Sequence, residues 1–173
     1  MREFFPYGLR LEGRDLLIVW FDGGDEPDGV LVDDDGRVIV QADMAALRNF
    51  AHAEHIRIDT SGTEDVWALD LDSVAFWTVV ADEAGVDCIE LLNAWNLFVD
   101  LAHSVGTEFD DRGEVRDQIY DKLFWGNNLP AMTAEAESAE PTWSDEELAV
   151  LRDTMARGLE IARRHLIPSW PTT

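Results

Sequence analysis

Lysine is nearly missing from this chain: Lys122 is alone among 173 residues. Cysteine is equally scarce, and Cys88 by itself cannot form an intramolecular disulfide. The amino-terminal stretch Met-Arg-Glu-Phe-Phe-Pro has no long apolar segment and no small-residue cleavage site of the secretory kind. A lone thiol without a leader fits a reducing compartment, so the expected location is cytoplasmic. Long hydrophobic runs are also lacking. Leu16 to Phe21 and Val74 to Ala81 fall well short of the roughly 20 apolar residues a helix needs to cross a bilayer. The chain has no G-x-S-x-G elbow, P-loop, G-x-G-x-x-G turn or H-E-x-x-H helix, so the common hydrolase, nucleotide and zinc-protease signatures are missing. The glycine pair Gly23-Gly24 is followed by acids, which repel phosphate.

Positive charge is the other deficit. Thirty-six Asp and Glu face thirteen Lys and Arg, a formal net charge of −23. Such a surface repels nucleic acid and anionic membranes and attracts basic protein, whose encounter it can steer. The acids are spread: 20 against 6 bases up to Asp87, and 16 against 7 beyond it. Even spreading also fits a body kept soluble, or adapted to concentrated salt, by its charge. The remaining composition is that of a folded domain. Hydrophobic residues make up 46%, with seven Trp and eight Phe, enough to build a core in a single domain spanning residues 1–173.

The first half, residues 1–82, reads mainly as strands. Tyr7 to Glu12 and Asp15 to Phe21 form a hairpin about Gly13-Arg14, and the unbroken run Leu16 to Trp20 predicts a strand covered on both faces. A second hairpin joins Gly29–Val32 to Arg37–Gln41 through Asp33-Asp34-Asp35-Gly36. Asp43 caps a helix over residues 44–54, and Ile56-Arg57-Ile58 reads as a short strand. Asp70 caps a helix from Leu71 to Asp82, although β-branched residues leave an all-strand reading of Val66 to Val80 open.

Residues 88–167 read mainly as helix. Cys88 to Ser104 is apolar around most of its girth, the pattern of a central helix, with Glu90, Asn93, Asn96, Asp100 and His103 as its polar stripe. Arg112 to Trp125 is a second helix, for which Gly126 is expected to provide a left-handed stop before Pro130. Residues 131–141 are small, acidic and aperiodic, and read as an exposed loop. The last helix opens on the capping box Ser144–Glu147, with Trp143 and Leu148 at the staple positions. Leu148, Leu151, Met155, Leu159, Ala162 and Leu166 form its inner stripe. The predicted fold is α+β: N-terminal antiparallel strands with one or two helices, packed against a C-terminal layer of about three helices.

Three groups of residues bear on function. Asp22, Asp25, Glu26, Asp28, Asp33, Asp34 and Asp35 crowd two loops, but their spacing from either Asp22 or Asp33 fails the calcium-loop pattern. They read as polar turns or as an acidic docking patch. Trp95, Asn96, Tyr120, Lys122, Trp125, Asn127 and Asn128 combine rigid aromatics with amides, as recognition surfaces do. The alternative is structural: both tryptophans in the core, both asparagines capping a turn, and Lys122 paired with an acid. His52, Glu54 and His55 offer two imidazoles three residues apart, but a zinc site needs further ligands that the sequence does not supply. No metal and no cofactor are expected.

The stretches LLNAWNLFVDLA (91–102), YDKLFWGNNLP (120–130) and PTWSDEELAVL (141–151) resemble small acidic bacterial proteins, some of them considered immunity proteins that neutralise a partner toxin. The resemblance implies stoichiometric occlusion of a basic partner and brings no catalytic residue with it. The functional expectation is therefore an acidic binding protein of the immunity or inhibitor type, acting on a basic protein such as a toxin, with no part for nucleic acid or membrane. An enzyme built on an atypical carboxylate or on His52 and His55 is the alternative. A second is a chain whose acidity is only environmental.

Overall fold

Two strands and the turn between them organise the N-terminal half. β1 (Glu3–Leu11) pairs antiparallel with β2 (Arg14–Asp22) over their full lengths. The computed structural model describes residues 2–60, 68–80, 85–127 and 141–167. The turn is Glu12-Gly13, one residue earlier than the Gly13-Arg14 predicted, because Arg14 already pairs with Leu11. Both turn residues have positive φ, 53° and 71°, the primed geometry that follows the strand twist. Their N–H groups donate to the two carboxylate oxygens of Asp72 at 2.6 and 2.7 Å, which sets the register from outside the hairpin. Leu17, Ile18 and Val19 are consecutively buried, so β2 is covered on both faces as its apolar run predicts.

The second hairpin forms, and its arms attach to β2 as well as to each other. β3 (Gly29–Val30) pairs with Trp20 and Phe21, and β4 (Val40–Gln41) with Leu17 and Ile18. Between the arms Val32 faces Val38, and the N–H groups of Asp33 and Ile39 donate to the carbonyls of Arg37 and Leu31 before the chain turns at Asp33–Gly36. Gly29 is needed for clearance: a Cβ there would lie 2.6 Å from Ser104 Oγ and 2.7 Å from Phe21 Cζ.

α1 (Met44–Ala53) starts at Asp43, whose side chain accepts from the Ala46 N–H at 2.8 Å. The expected strand at Ile56–Ile58 contracts to a single parallel bridge between Phe4 and Ile58. β5 (Ala68–Asp70) lies parallel to β1 at Gly8–Arg10, making the sheet mixed, since the chain returns to β1 after an intervening helix. The sheet order is β3-β2-β1-β5, with β4 also on β2. From Asp70 the chain turns directly into α2 (Leu71–Val80), with Asp70 Oδ1 accepting from the N–H groups of Asp72 and Ser73. That cap overturns the all-strand reading of Val66 to Val80. Residues 81 and 82, the end of the predicted helix, lie outside the described residues.

α3 (Cys88–Val105) spans 18 residues, nine of them buried. Asp87 caps its start, and Gly106, at φ 66°, ends it in the left-handed conformation. α4 (Glu114–Gly126) begins after Gly113, and its last residue Gly126 is not the left-handed stop expected, because Asn127 continues at φ −65°. Glycine is required at 126 for contact: a Cβ would sit 2.6 Å from Cys88 Sγ and 3.0 Å from Pro141 Cγ. α5 (Asp145–Leu166) carries both halves of the Ser144–Glu147 capping box, and Leu151, Met155, Leu159, Ala162 and Leu166 are buried as predicted. The loop expected at 131–141 falls almost wholly outside the described residues.

The helical layer closes where α3 crosses α5. Gly158 lies against the Phe98 ring so closely that an added Cβ would overlap it, and Phe98 is fully buried. Gly158→Ala should therefore destabilise the fold by about 1–3 kcal/mol through overpacking, although alanine is the better helix former by about 1 kcal/mol. Urea unfolding measures this, and a higher midpoint for the variant would contradict the close crossing.

Candidate partner-binding surface

The seven carboxylates of the predicted acidic patch sit on two loops that leave the outer edge of β2. Residues 23–28 cap its end, and 33–36 branch from its middle. Three of these side chains hold their own loops through backbone N–H groups. Asp22 Oδ1 accepts from the Gly24 N–H at 2.7 Å and Asp28 Oδ1 from the Gly23 N–H at 2.9 Å. Asp33 Oδ1 accepts from the N–H groups of Asp35 and Arg37 at 2.9 and 2.8 Å. Glu26 pairs with Arg2, and Asp35 with Arg37. Asp25 and Asp34 are exposed. The turns thus place negative charge rigidly on one sheet edge, with two arginines countering part of it.

The aromatic and amide group divides. Trp95 is buried, with Tyr120 packed edge-on at 5.8 Å, and the Tyr120 hydroxyl donates to Asn96 Oδ1 at 2.9 Å. Lys122 is committed internally: its Nζ lies 2.6 Å from Glu147 Oε1, donates to the Thr142 carbonyl at 2.9 Å and sits over the Trp143 ring. Burial alone would raise the Glu147 carboxyl, but Lys122 and the Ser144 cap hold it below its ordinary value. Asn127 follows α4 and donates its N–H to the Leu123 carbonyl. Asn128 lies outside the described residues. Trp125 is the exception to the structural reading: it is 58% exposed.

Trp125 belongs to a feature that sequence patterning missed. Phe76, Val79 and Val80 on α2 are 70%, 81% and 54% exposed, and Ile89 on α3 is 48% exposed. The first turn of α3 joins these neighbours. Glu90 hydrogen-bonds Ser73 on α2, and Cys88 touches Gly126, the residue after Trp125. Phe76, Val79 and Val80 thus share one exposed apolar face of α2, with exposed Ile89 in the first turn of α3 and exposed Trp125 in the last turn of α4, and the carboxylates Asp87, Glu90 and Asp121 lie within four residues of Ile89 or Trp125 along the chain. Burial raises the Glu90 carboxyl, with Asp87 and Asp70 adding to the shift and Ser73 opposing it. α2 follows directly from β5, at the opposite end of the sheet order from the acidic loops beside β2 and β3.

A second polar group went unrecognised. Trp20 Nε1 donates to Asp100 Oδ2 at 2.8 Å, and Ser104 Oγ accepts from the Val30 N–H at 2.8 Å, so the polar stripe of α3 is stitched to the sheet. Desolvation raises the Asp100 carboxyl, and Asp28 adds to this against the Trp20 bond and His103. Desolvation also pushes the Tyr7 phenol up to about 12, with Asp100 contributing. Burial raises the Cys88 thiol as well, with Asp87 adding, which disfavours the reactive thiolate.

His52 and His55 do not share a helical face, because α1 ends at Ala53 and His55 follows with φ 57°. Among the described residues no group of three His, Cys, Asp or Glu is placed to hold a metal ion, and no helix is long and apolar enough to cross a membrane. No family model, curated protein or solved structure matches the chain, so its resemblance to immunity-type proteins stands on the three quoted stretches alone.

The Tyr7 shift has a definite sign. In the unfolded chain the phenol ionises near its ordinary 10.0, in the fold near 12. Stability from the neutral phenol is complete below the lower value and is lost as pH climbs through the upper one. Denaturant unfolding at stepped alkaline pH should show this loss in the wild type and a flatter profile in Tyr7→Phe. Identical profiles would remove Tyr7 from the alkaline transition. Asp100→Asn, which keeps an acceptor for Trp20 without a desolvated charge, should be more stable than the wild type at neutral pH in the same assay.

Proposed function

We propose that this chain is a binding protein for a basic protein partner, of the immunity or inhibitor kind, acting by occlusion. The observation that carries the reading is the set of apolar side chains Phe76, Val79, Val80, Ile89 and Trp125, each open to water, with Asp87, Glu90 and Asp121 close to them along the chain. Exposed apolar surface of this kind on a folded domain marks an interaction site. Apolar side chains, charge beside them and an exposed tryptophan are features of a protein interface. The net charge of −23 selects the partner's sign. A second copy of this chain brings the same negative charge and is repelled, whereas a basic surface gains from both the nearby carboxylates and the long-range field. The acidic loops on β2 add to the steering field.

Affinity capture on the immobilised chain at low and high salt tests this. The expected result is a basic protein retained in stoichiometric amount, released by salt, and lost when the bait carries Phe76→Asp with Val79→Asp. Trp125→Ala should weaken the isolated complex by about 2 kcal/mol, roughly thirtyfold. Each position is exposed, so circular dichroism should show an unchanged fold. A captured protein that is acidic, or indifferent to the double substitution, refutes the reading. Sedimentation showing a homodimer that the double substitution dissolves would assign these side chains to self-association instead.

A further inference from the structure

A groove between α1 and the segment that follows it departs from the acidic character of the rest of the chain. Its volume is about 330 Å³, and its described lining is Leu47, Arg48, Ala51, His52, Ile56, Arg57, Ile58 and Thr60. Although acids outnumber bases 36 to 13 in the chain, none of these described lining residues carries a carboxylate.

The backbone explains the shape. α1 ends at Ala53, and His55, in the left-handed conformation at φ 57°, reverses the chain. Such a conformation is uncommon for a residue with a side chain and needs support from its surroundings. Here the support is visible: the Ile56 N–H donates to the Ala51 carbonyl at 2.9 Å, and the Asp59 N–H to the Phe4 carbonyl at 2.8 Å. The reversed segment lies alongside α1. Leu47 and Ala51, both buried, make an aliphatic floor with Ile56 and Ile58, and the exposed lining is Arg48 and His52, one helical turn apart on α1, and Arg57 on the reversed segment. Among the described residues neither Arg48 nor Arg57 makes an ion pair. Beyond Arg57 the groove opens into a wider cavity of about 920 Å³, where Arg2 and His55 are accompanied by Glu3 and Asp59.

We propose that the groove between α1 and residues 56–60 binds a small organic carboxylate, its apolar body on the aliphatic floor and its two oxygens on Arg48 and Arg57. Guanidinium groups match the planar geometry of a carboxylate and remain charged at any physiological pH. The floor selects against bare inorganic anions, and the surrounding field of a −23 body penalises a dianion more than a monoanion. An apolar cavity with a few convergent polar groups is the usual form of a small-molecule site. This site is independent of the partner-binding side chains.

Titration of the full isotope-labelled chain with hexanoate, followed by amide chemical shifts, tests it. Hexanoate should shift amides between Leu47 and Ile58 saturably, with hexanol and inorganic phosphate each at least about tenfold weaker. Arg48→Ala and Arg57→Ala should each cost about tenfold, the scale of one charge-assisted hydrogen bond. Both side chains are exposed, and amide shifts elsewhere report that the fold is kept. Hexanol binding as tightly as hexanoate would reduce the groove to an apolar crevice, and phosphate binding as tightly would make it a plain anion site. Either result, or the absence of saturable shifts, overturns the proposal.

Discussion

The burial of α3 is the constraint on which the rest of the molecule depends. Phe98 and Leu101 are fully excluded from water, and Trp95 nearly so, which a single helix cannot achieve unless something lies on almost every side. Ser104 and Asp100 fasten one side to β3 and β2, while Gly158 lets α5 close on Phe98. Gly126 performs the same service for α4 at Cys88. Each contact works because one partner is small or supplies the hydrogen bond the other needs, and interiors at crystal-like density tolerate little else. Hairpin and helical layer are coupled at the surface too, through the Asp72 carboxylate that binds the β1–β2 turn.

Placing so much apolar surface around α3 has consequences for what remains outside. α2 is apolar on nearly every side but has only one face to bury: Leu71, Val74 and Trp77 go inward, leaving Phe76, Val79 and Val80 in water. Exposed aliphatic and aromatic area of that kind is unfavourable by roughly 25 cal/mol per Å². A partner of the proposed kind would recover that energy by covering these side chains, and the net charge of −23 would favour a basic one. The two acidic loops are different in kind. Three of their carboxylates, Asp22, Asp28 and Asp33, are engaged by the N–H groups of tight turns, so they shape the loops as well as charging them. The only lysine is likewise an internal strut between the α5 cap and the chain leading into it.

Local physics was legible in the residues alone wherever one signal decided the outcome. Asp43, Ser144 with Glu147, and the three-and-four spacing from Leu151 to Leu166 each satisfy their own segment, and no distant contact overrides them. The same holds for the girth of α3, because a helix apolar all round has nowhere to go but the interior. The α+β architecture follows from these elements, and their order in the chain is enough to predict it.

Where two segments had to choose each other, the residues alone could not say. Along α2 nearly every position is apolar, so no periodicity marks the inward face, and the exposed face became visible only after α3 and α5 had taken the other side. Trp125 lies two residues beyond Leu123, about 200° around α4, and packing sent Leu123 to the core and Trp125 to solvent. Likewise the Asp100–Trp20 bond spans 80 positions and the basic groove joins α1 to a reversed segment beyond it. Composition and spacing therefore determined the charge, the caps and the elements, because those are properties of neighbours along the chain. Which faces meet, which apolar side chains are left in water and where a few arginines gather were decided only by tertiary packing, because those depend on distances between residues that the linear order does not contain.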